Sequence, residues 1–344
     1  MRVDEIFISG LGSYLPEPTT ISSAVAAGLL GEAAATESGQ VSVLIADDIA
    51  APDMAVLAAR RALDRCGTKA AEIDMLVHSS VFFQGPEMWS PQGYILRELG
   101  AGNVPAVELR QGCNGMLTAM EFAIGQFAAD PSRRIALLTT GDNFNAPTID
   151  RWRGAIIGLY AGDAGTAVVL STEGGIARVD SINSALFPEI EGMARGAEPL
   201  FPPPAVTGRP IDMVDRSQHF AQTVRPLPEA IDVVRKAQVD LVCRSLDEAG
   251  LALRDVRKVV YINGARWLME RNLTGPLGIP LSRTTWDYGR TVGHLGASDH
   301  VASLDHLLST GEVEPGDRLL LVGGAPGWSV ATAVVTILEP EVSR

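Results

Sequence analysis

The sequence predicts an α/β protein made of two related halves, and three observations lead there. Of 344 residues, 46% are hydrophobic and 20% charged, which is enough apolar surface to form a large core and too much for a disordered chain. Strand-like apolar runs alternate with helix-like amphipathic runs, the pattern of helices layered on sheets. A segment also recurs. Ala62-Leu63-Asp64-Arg65-Cys66-Gly67, followed by Ile73-Asp74-Met75-Leu76-Val77, matches Ser245-Leu246-Asp247-Glu248-Ala249-Gly250, followed by Val256-Arg257-Lys258-Val259-Val260. Leu63 and Leu246, Asp64 and Asp247, and Gly67 and Gly250 all pair at a spacing of 183 residues. The division expected from this repeat is an N-terminal half over residues 1–172 and a C-terminal half over residues 173–344.

Each copy reads as helix, glycine stop, short turn and buried strand. The helices are expected over 53–66 and about 228–249, where apolar residues recur at helical spacing before Gly67 and Gly250. The strands that follow are Met75–Ser79 and 258–262. In the first half a strand near 104–109 leads to Cys113 and a helix ending about Phe127. In the second, a helix, then a strand over 283–286, leads to His294 and a helix over 298–308. Strand pairs close both halves: 134–139 with 165–170, and 318–322 with 330–338. Equivalent central helices would thus bring Cys113 and His294 together from equivalent places. Between the halves, residues 198–210 carry five prolines and cannot form regular structure; they are expected to be a loop on the surface or over the active-site entrance.

Composition excludes several function classes. A net charge of −13 and a pI near 4.9 argue against a general nucleic-acid binder, which needs a basic face. An acidic carrier protein would need a local basic patch; Arg254, Arg257 and Lys258 offer one, although surface solubility explains them equally well. The start of the chain lacks a basic region followed by an apolar run, and no stretch reaches the roughly 18 apolar residues of a membrane span. Cys66, Cys113 and Cys243 are too few and scattered for a disulfide framework or zinc cage. A cytoplasmic protein with free thiols and no membrane contact is expected. Cys66 and Cys243, on amphipathic helices, are expected in the core, and His78 and His219 in structural or exposed places. His300 and His306 have no third ligand nearby, so no metal site is expected.

Three segments carry candidate chemistry. Cys113 lies in Arg110-Gln111-Gly112-Cys113-Asn114-Gly115-Met116, between a strand and a helix. Unpaired N–H groups and the dipole at a helix N-terminus favour thiolate over thiol, and the flanking glycines allow close approach by a substrate. A small buried apolar cysteine remains the alternative. His294 lies in Gly289-Arg290-Thr291-Val292-Gly293-His294-Leu295-Gly296-Ala297-Ser298-Asp299-His300. A histidine before a helix and an aspartate in its first turn can meet across the turn, which would orient the imidazole as a triad member. Equally, Asp299 would favour the helix start and His294 could be a loop residue. Gly323-Gly324-Ala325-Pro326-Gly327-Trp328 follows a buried strand; a glycine N–H there could serve an oxyanion, or the run could simply be a hairpin turn.

Taken together these segments resemble the ketoacyl-acyl-carrier-protein synthase III family of the thiolase-like fold. The resemblance runs from Ile8-Ser9-Gly10-Leu11-Gly12-Ser13-Tyr14-Leu15-Pro16 through Gly112-Cys113-Asn114-Gly115 and Ala161-Gly162-Asp163-Ala164-Gly165 to Gly323-Gly324-Ala325-Pro326-Gly327-Trp328. It implies five layers (α-β-α-β-α) with a pseudo-twofold between the halves. It also implies that Cys113 accepts an acyl group from a phosphopantetheine thioester, on acyl carrier protein or coenzyme A, with no tightly bound cofactor. The N–H groups of Cys113 and Gly324 would form the oxyanion hole. The family is typically a homodimer, and Trp89 lies in the segment that reaches the neighbouring subunit's acyl pocket.

Departures from the family pattern shape the functional expectation. Condensing members use a His and an Asn to decarboxylate a malonyl unit. Where the His is expected this chain has Asn263-Gly264-Ala265-Arg266, and where the Asn is expected it has Gly289-Arg290-Thr291. Asn263 and Arg290 are expected as substrate-pocket residues instead. His294 with Asp299 resembles a divergent Cys-His-Asp branch of natural-product pathways, whose members transfer an acyl group to a hydroxyl or amine. The resemblance therefore implies an acyltransferase of antibiotic biosynthesis. Two alternatives stay open: a priming condensing enzyme rebuilt around His294, and a noncatalytic partner subunit.

Overall fold

The computed structural model describes residues 1–145, 148–153, 158–201 and 211–338. The strands are β1 (Phe7–Tyr14), β2 (Pro18–Thr20), β3 (Ser42–Leu44), β4 (Met75–Ser79), β5 (Ala106–Leu109), β6 (Ile135–Asp142), β7 (Ala164–Ser171), β8 (Ala177–Leu186), β9 (Lys258–Tyr261), β10 (Arg318–Ala325) and β11 (Ser329–Ile337). Apart from the small β2–β3 pair, they form one mixed sheet in the order β5-β4-β6-β7-β1-β8-β11-β10-β9.

The repeat in the sequence becomes a repeat in the pairing. β4 runs parallel to β6, β6 antiparallel to β7, and β7 antiparallel to β1. In the same sequence of senses, β9 runs parallel to β10, β10 antiparallel to β11, and β11 antiparallel to β8. The two sets meet at β1 and β8, where Phe7 faces Arg178 and Ile8 faces Ala177.

Strand alternation then sorts side chains into layers. In β4, Met75 and Val77 join the central core while Leu76 packs with Ala55, Ala59 and Ile95 on the outer side. In β10, Leu319 and Leu321 face the centre, whereas Leu320 and Val322 pack with Val242 and Leu246 of helix Leu227–Glu248. Between the sheet halves lie helices Gly115–Ala129 and Asp299–Ser309. Nine residues of Asp299–Ser309 are buried, as expected of a helix enclosed on all sides. This is the α/β thiolase-like arrangement: helices Ala51–Cys66 and Pro91–Leu99 outside, then sheet, central helices, sheet, and Leu227–Glu248 outside.

Several expectations need correction. Residues 283–286 are not a strand: a 3-10 turn over Leu281–Arg283 passes into helix Trp286–Val292, and only Thr284 bridges to Val259. The Thr284 hydroxyl accepts the Trp286 N–H and so starts a helix there. Cys66 is half-buried and Cys243 is exposed rather than core, because Val242 and Leu246 carry the buried stripe of that helix. Of the proline-rich stretch, 198–201 is irregular, and 202–210 lie outside the described residues.

Candidate active site

Cys113 sits in a 3-10 turn, Gly112–Asn114, that runs directly into helix Gly115–Ala129. The two flanking glycines are required here. Gly112 adopts φ 56°, and a Cβ on it would press against Ala325 of β10; a Cβ on Gly115 would collide with Ser79 of β4. The turn thus lies between the ends of β4 and β10. Asn114 reaches across to β11, donating to both the carbonyl and the hydroxyl of Ser329 at 3.0 Å.

His294 is delivered by the loop that follows helix Trp286–Val292. Its backbone is pinned by the segment leading into β7: its N–H donates to Tyr160 O, and Gly162 N–H donates to its carbonyl, both at 2.8 Å. Gly162 has no room for a side chain, because a Cβ there would meet Val292 O at 2.7 Å. Next to it, Asp163 accepts the Ala46 and Phe144 N–H groups and forms a buried ion pair with Arg151 at 3.0 Å. Gly162, held in place beside the buried Asp163, is therefore part of the dock for the histidine loop.

The side chains complete a line of three. His294 Nε2 lies 2.9 Å from Cys113 Sγ, and His294 Nδ1 lies 2.6 Å from Asp299 Oδ2. All three residues are at most 5% exposed. Asp299 begins helix Asp299–Ser309, where the dipole favours its charge. Burial alone would lower the His294 pKa. Negative charge on Cys113 and Asp299, with hydrogen bonds to both, outweighs burial and holds the imidazole well above its ordinary value. The geometry is that of an imidazolium held between a sulfur and a carboxylate, able to give a proton and take one back.

A cavity of about 350 Å³ opens on the sulfur. Its walls are chiefly apolar and include Tyr261, Ile262, Trp267, Leu268, Met193, Met213 and Trp328. Gly324 lines it beside Cys113. β9 ends at Tyr261, opposite Val322, so Gly324 sits on a stretch of β10 that extends beyond that neighbour. A Cβ on Gly324 would meet nothing within 4 Å.

The chain aligns with ChlB3, described as an acyltransferase, at 41% identity and a TM-score of 0.92, covering 98% of this chain and 99% of that one. It belongs to the ketoacyl-acyl-carrier-protein synthase III family. The model of the 3-oxoacyl-[acyl-carrier-protein] synthase III C-terminal region matches residues 246–337. The beta-ketoacyl-[acyl-carrier-protein] synthase III of Streptomyces lividans is 28% identical over 349 residues, 97% of this chain and 95% of that protein. The fold is shared with the synthase III of Aquifex aeolicus VF5, at 19% identity and a TM-score of 0.78, covering 96% and 99% of the two chains. The chain is thus a transferase-type enzyme of the synthase III family.

Within this synthase III fold, the other expected site residues stand elsewhere. Arg290 does not line the cavity; its guanidinium stacks over Trp286 at 4.8 Å. Asn263 does not line it either, because its amide is turned toward Asp299. Trp89 is 39% exposed and packs on Tyr94, outside this chain's own cavity. Helices Gly192–Arg195 and Met213–Thr223, with the start of Leu227–Glu248, supply Met193, Met213, Ser217, Leu227, Ile231 and Val234 to the cavity wall. Sequence reasoning missed these, since ordinary apolar helix positions carry no mark of what they face. Among the described residues, no group of three metal-ligating side chains could hold an ion. His78 is buried between Thr139 and Gln84, His300 Nε2 donates to Val322 O at 2.9 Å, and His306 stacks on Tyr288.

Proposed function

We propose that this enzyme is an acyltransferase. It takes an acyl group from a phosphopantetheine thioester, on acyl carrier protein or coenzyme A, onto Cys113. It then passes that group to a hydroxyl or amine acceptor in secondary-metabolite (antibiotic) biosynthesis. The observation that carries this reading is the contact of His294 Nε2 with Cys113 Sγ at 2.9 Å, backed by Asp299 at 2.6 Å. Ester or amide formation needs a base beside the acyl-bearing sulfur; decarboxylation does not.

The first half-reaction begins with the Cys113 sulfur attacking the thioester carbonyl. The tetrahedral oxyanion is received by the N–H groups of Cys113 and Gly324. The C–S bond to the carrier breaks, and His294 gives its proton to the departing thiolate. Acylation removes the negative charge on sulfur, one of the causes that hold the imidazole protonated, so His294 stays neutral as a base. In the second half-reaction the acceptor attacks the acyl-Cys113 carbonyl while Nε2 takes its proton. Asp299 stabilises the imidazolium, and the C–S bond to Cys113 breaks, restoring the starting pair. Exchange of a thioester for an ester or amide requires no tightly bound cofactor or metal. The division at 172/173 belongs to the same proposal: the first part supplies the nucleophile, the second the base, its carboxylate and Gly324.

The unit is proposed to be a homodimer, with the exposed loop bearing Phe83, Met88 and Trp89 against the partner, and Trp89 reaching the partner's acyl pocket. A second reading, decarboxylative condensation, is favoured by the activity named for the Streptomyces lividans relative. Incubation with acyl and malonyl thioesters, with and without an alcohol or amine, separates the two. The proposal expects ester or amide and no carbon dioxide. A ketoacyl product with carbon dioxide release would establish condensation. A noncatalytic subunit would leave Cys113 unacylated.

A further inference from the structure

The Asp299 carboxylate accepts four hydrogen bonds, and only one comes from His294. Oδ1 accepts from Asn263 Nδ2 and from Leu295 N–H, each at 2.7 Å; Oδ2 accepts from Asn263 N–H at 2.9 Å and stands 2.6 Å from His294 Nδ1. Asn263 thus holds both oxygens, one through its amide and one through its backbone. It follows β9, is 1% exposed, and does not line the cavity.

Asn263 does this at a cost to itself. Its Oδ1 is buried with no hydrogen-bond partner. The amide cannot turn over to satisfy that oxygen, since two oxygens would then face each other at Asp299. On the other side Oδ1 presses on Gly289, where any side chain would collide with it. A buried carbonyl oxygen left without a donor is unfavourable. The contacts that the side chain does make all serve the carboxylate.

From this geometry we infer that Asn263 is a positioning residue: it fixes the plane of the Asp299 carboxylate, and through it the His294 ring, in register with Cys113. The inference rests on the acyl-transfer reading above. Without Asn263 Nδ2, Oδ1 keeps only the Leu295 N–H and Oδ2 keeps the Asn263 N–H, so the carboxylate has one donor fewer to fix its plane and can tilt toward the N–H groups at the start of its own helix. His294 would then lose its fixed partner at Nδ1 and the ring would swing away from the sulfur. Other titratable groups facing this centre are Cys113 from the nucleophile turn, His300 from the same helix as Asp299, Tyr261 from β9 and Tyr288 from helix Trp286–Val292. Burial keeps His300 and both tyrosines neutral around neutral pH, so Asp299 and Cys113 are the groups that set the His294 titration.

The test is an NMR titration of the full-length enzyme with ring-labelled histidine, in which loss of one resonance in a His294→Gln variant assigns His294 among the five histidines. In Asn263→Ala the His294 midpoint is expected to fall by about one pH unit, and in Asp299→Asn by more. Discharge of acyl-Cys113 to an acceptor slows in Asn263→Ala on the order of 10–100-fold. Asn263→Ser, whose side chain ends short of Asp299, gives the same shift if the alanine variant folds poorly. A merely structural role would lower the melting temperature and leave the midpoint where it is. If Asp299→Asn moves the midpoint but neither Asn263 variant does, this inference is overturned and the triad stands. If Asp299→Asn leaves the midpoint unmoved, the acyl-transfer reading fails with it.

Discussion

Asp142 is the residue whose charge state the fold controls most visibly outside the cysteine–histidine line. It ends β6 with Oδ1 accepting the N–H groups of Val81 and Phe82, while Oδ2 is buried without a partner against Gly296, in the loop that carries His294. Burial, helped by the charge of Asp163, outweighs those donors and Arg110 and raises its pKa to about 7. The folded carboxyl therefore keeps a proton, between about pH 4 and pH 7, that the unfolded chain has already lost. Stability must fall as pH rises through that window. Asp142→Asn keeps the acceptor and does not titrate. Its melting temperature is expected to match the wild type near pH 4 and to exceed it increasingly up to pH 7, beyond which the gap stays constant. A gap independent of pH would show that Asp142 is ionised throughout. At this scale the sequence was readable where a residue type and a local turn coincide: Cys113, His294 and Asp299 all stand in glycine-flanked or helix-initiating positions. Asn263 was not readable, because its bond to Asp299 spans 36 residues and depends on where β9 ends.

Helix Ala51–Cys66 shows how short local signals become an element contact. Its buried face is largely alanine, and it lies directly on glycines of three strands: Gly10 and Gly12 of β1 against Ala62 and Ala58, Gly141 of β6 against Ala51, and Gly165 of β7 against Met54. The contact is backbone to backbone, so it cannot yield as a flexible side chain would. Gly12→Ala, whose methyl would strike the Ala58 carbonyl, is expected to destabilise the protein by roughly 1–3 kcal/mol. Chemical denaturation would register this as a lower midpoint; an unchanged midpoint would mean that helix and sheet can move apart freely. These same glycines hid β1 from sequence reasoning, since Phe7–Tyr14 lacks the β-branched run that marks a strand. β8 was hidden for another reason: its buried positions include Ser181 and Asn183, satisfied by Ser245 of helix Leu227–Glu248. By contrast, β4, β9 and β10 announce themselves as apolar runs because both of their faces are covered.

In the whole molecule, the repeated strand order brings the Cys113 turn against the His294 loop, a meeting the internal repeat led us to expect. The helical wall of the cavity was not foreseeable: Met193, Met213 and Ser217 come from the stretch between the two repeats, where neither copy provides a template, and nothing in the sequence marks Leu227, Ile231 and Val234 of helix Leu227–Glu248 as facing a cavity. Assembly is a further matter at this scale. The proposed dimer is expected to sediment at about twice the 36.4 kDa of the chain, and Trp89→Glu to shift it toward the monomer; a monomeric wild type would remove Trp89 from any neighbouring pocket. The central claim, that one sulfur carries the acyl group and an imidazole–carboxylate pair hands it to oxygen or nitrogen, is tested most directly by intact-mass measurement. Wild type and His294→Asn are each loaded with an acyl thioester, mapped for the adduct, and chased with an alcohol or amine acceptor. The account predicts an adduct on Cys113 that the acceptor clears from the wild type and clears at least about 100-fold more slowly from His294→Asn. An adduct on another residue, or equal clearance from both proteins, would contradict it.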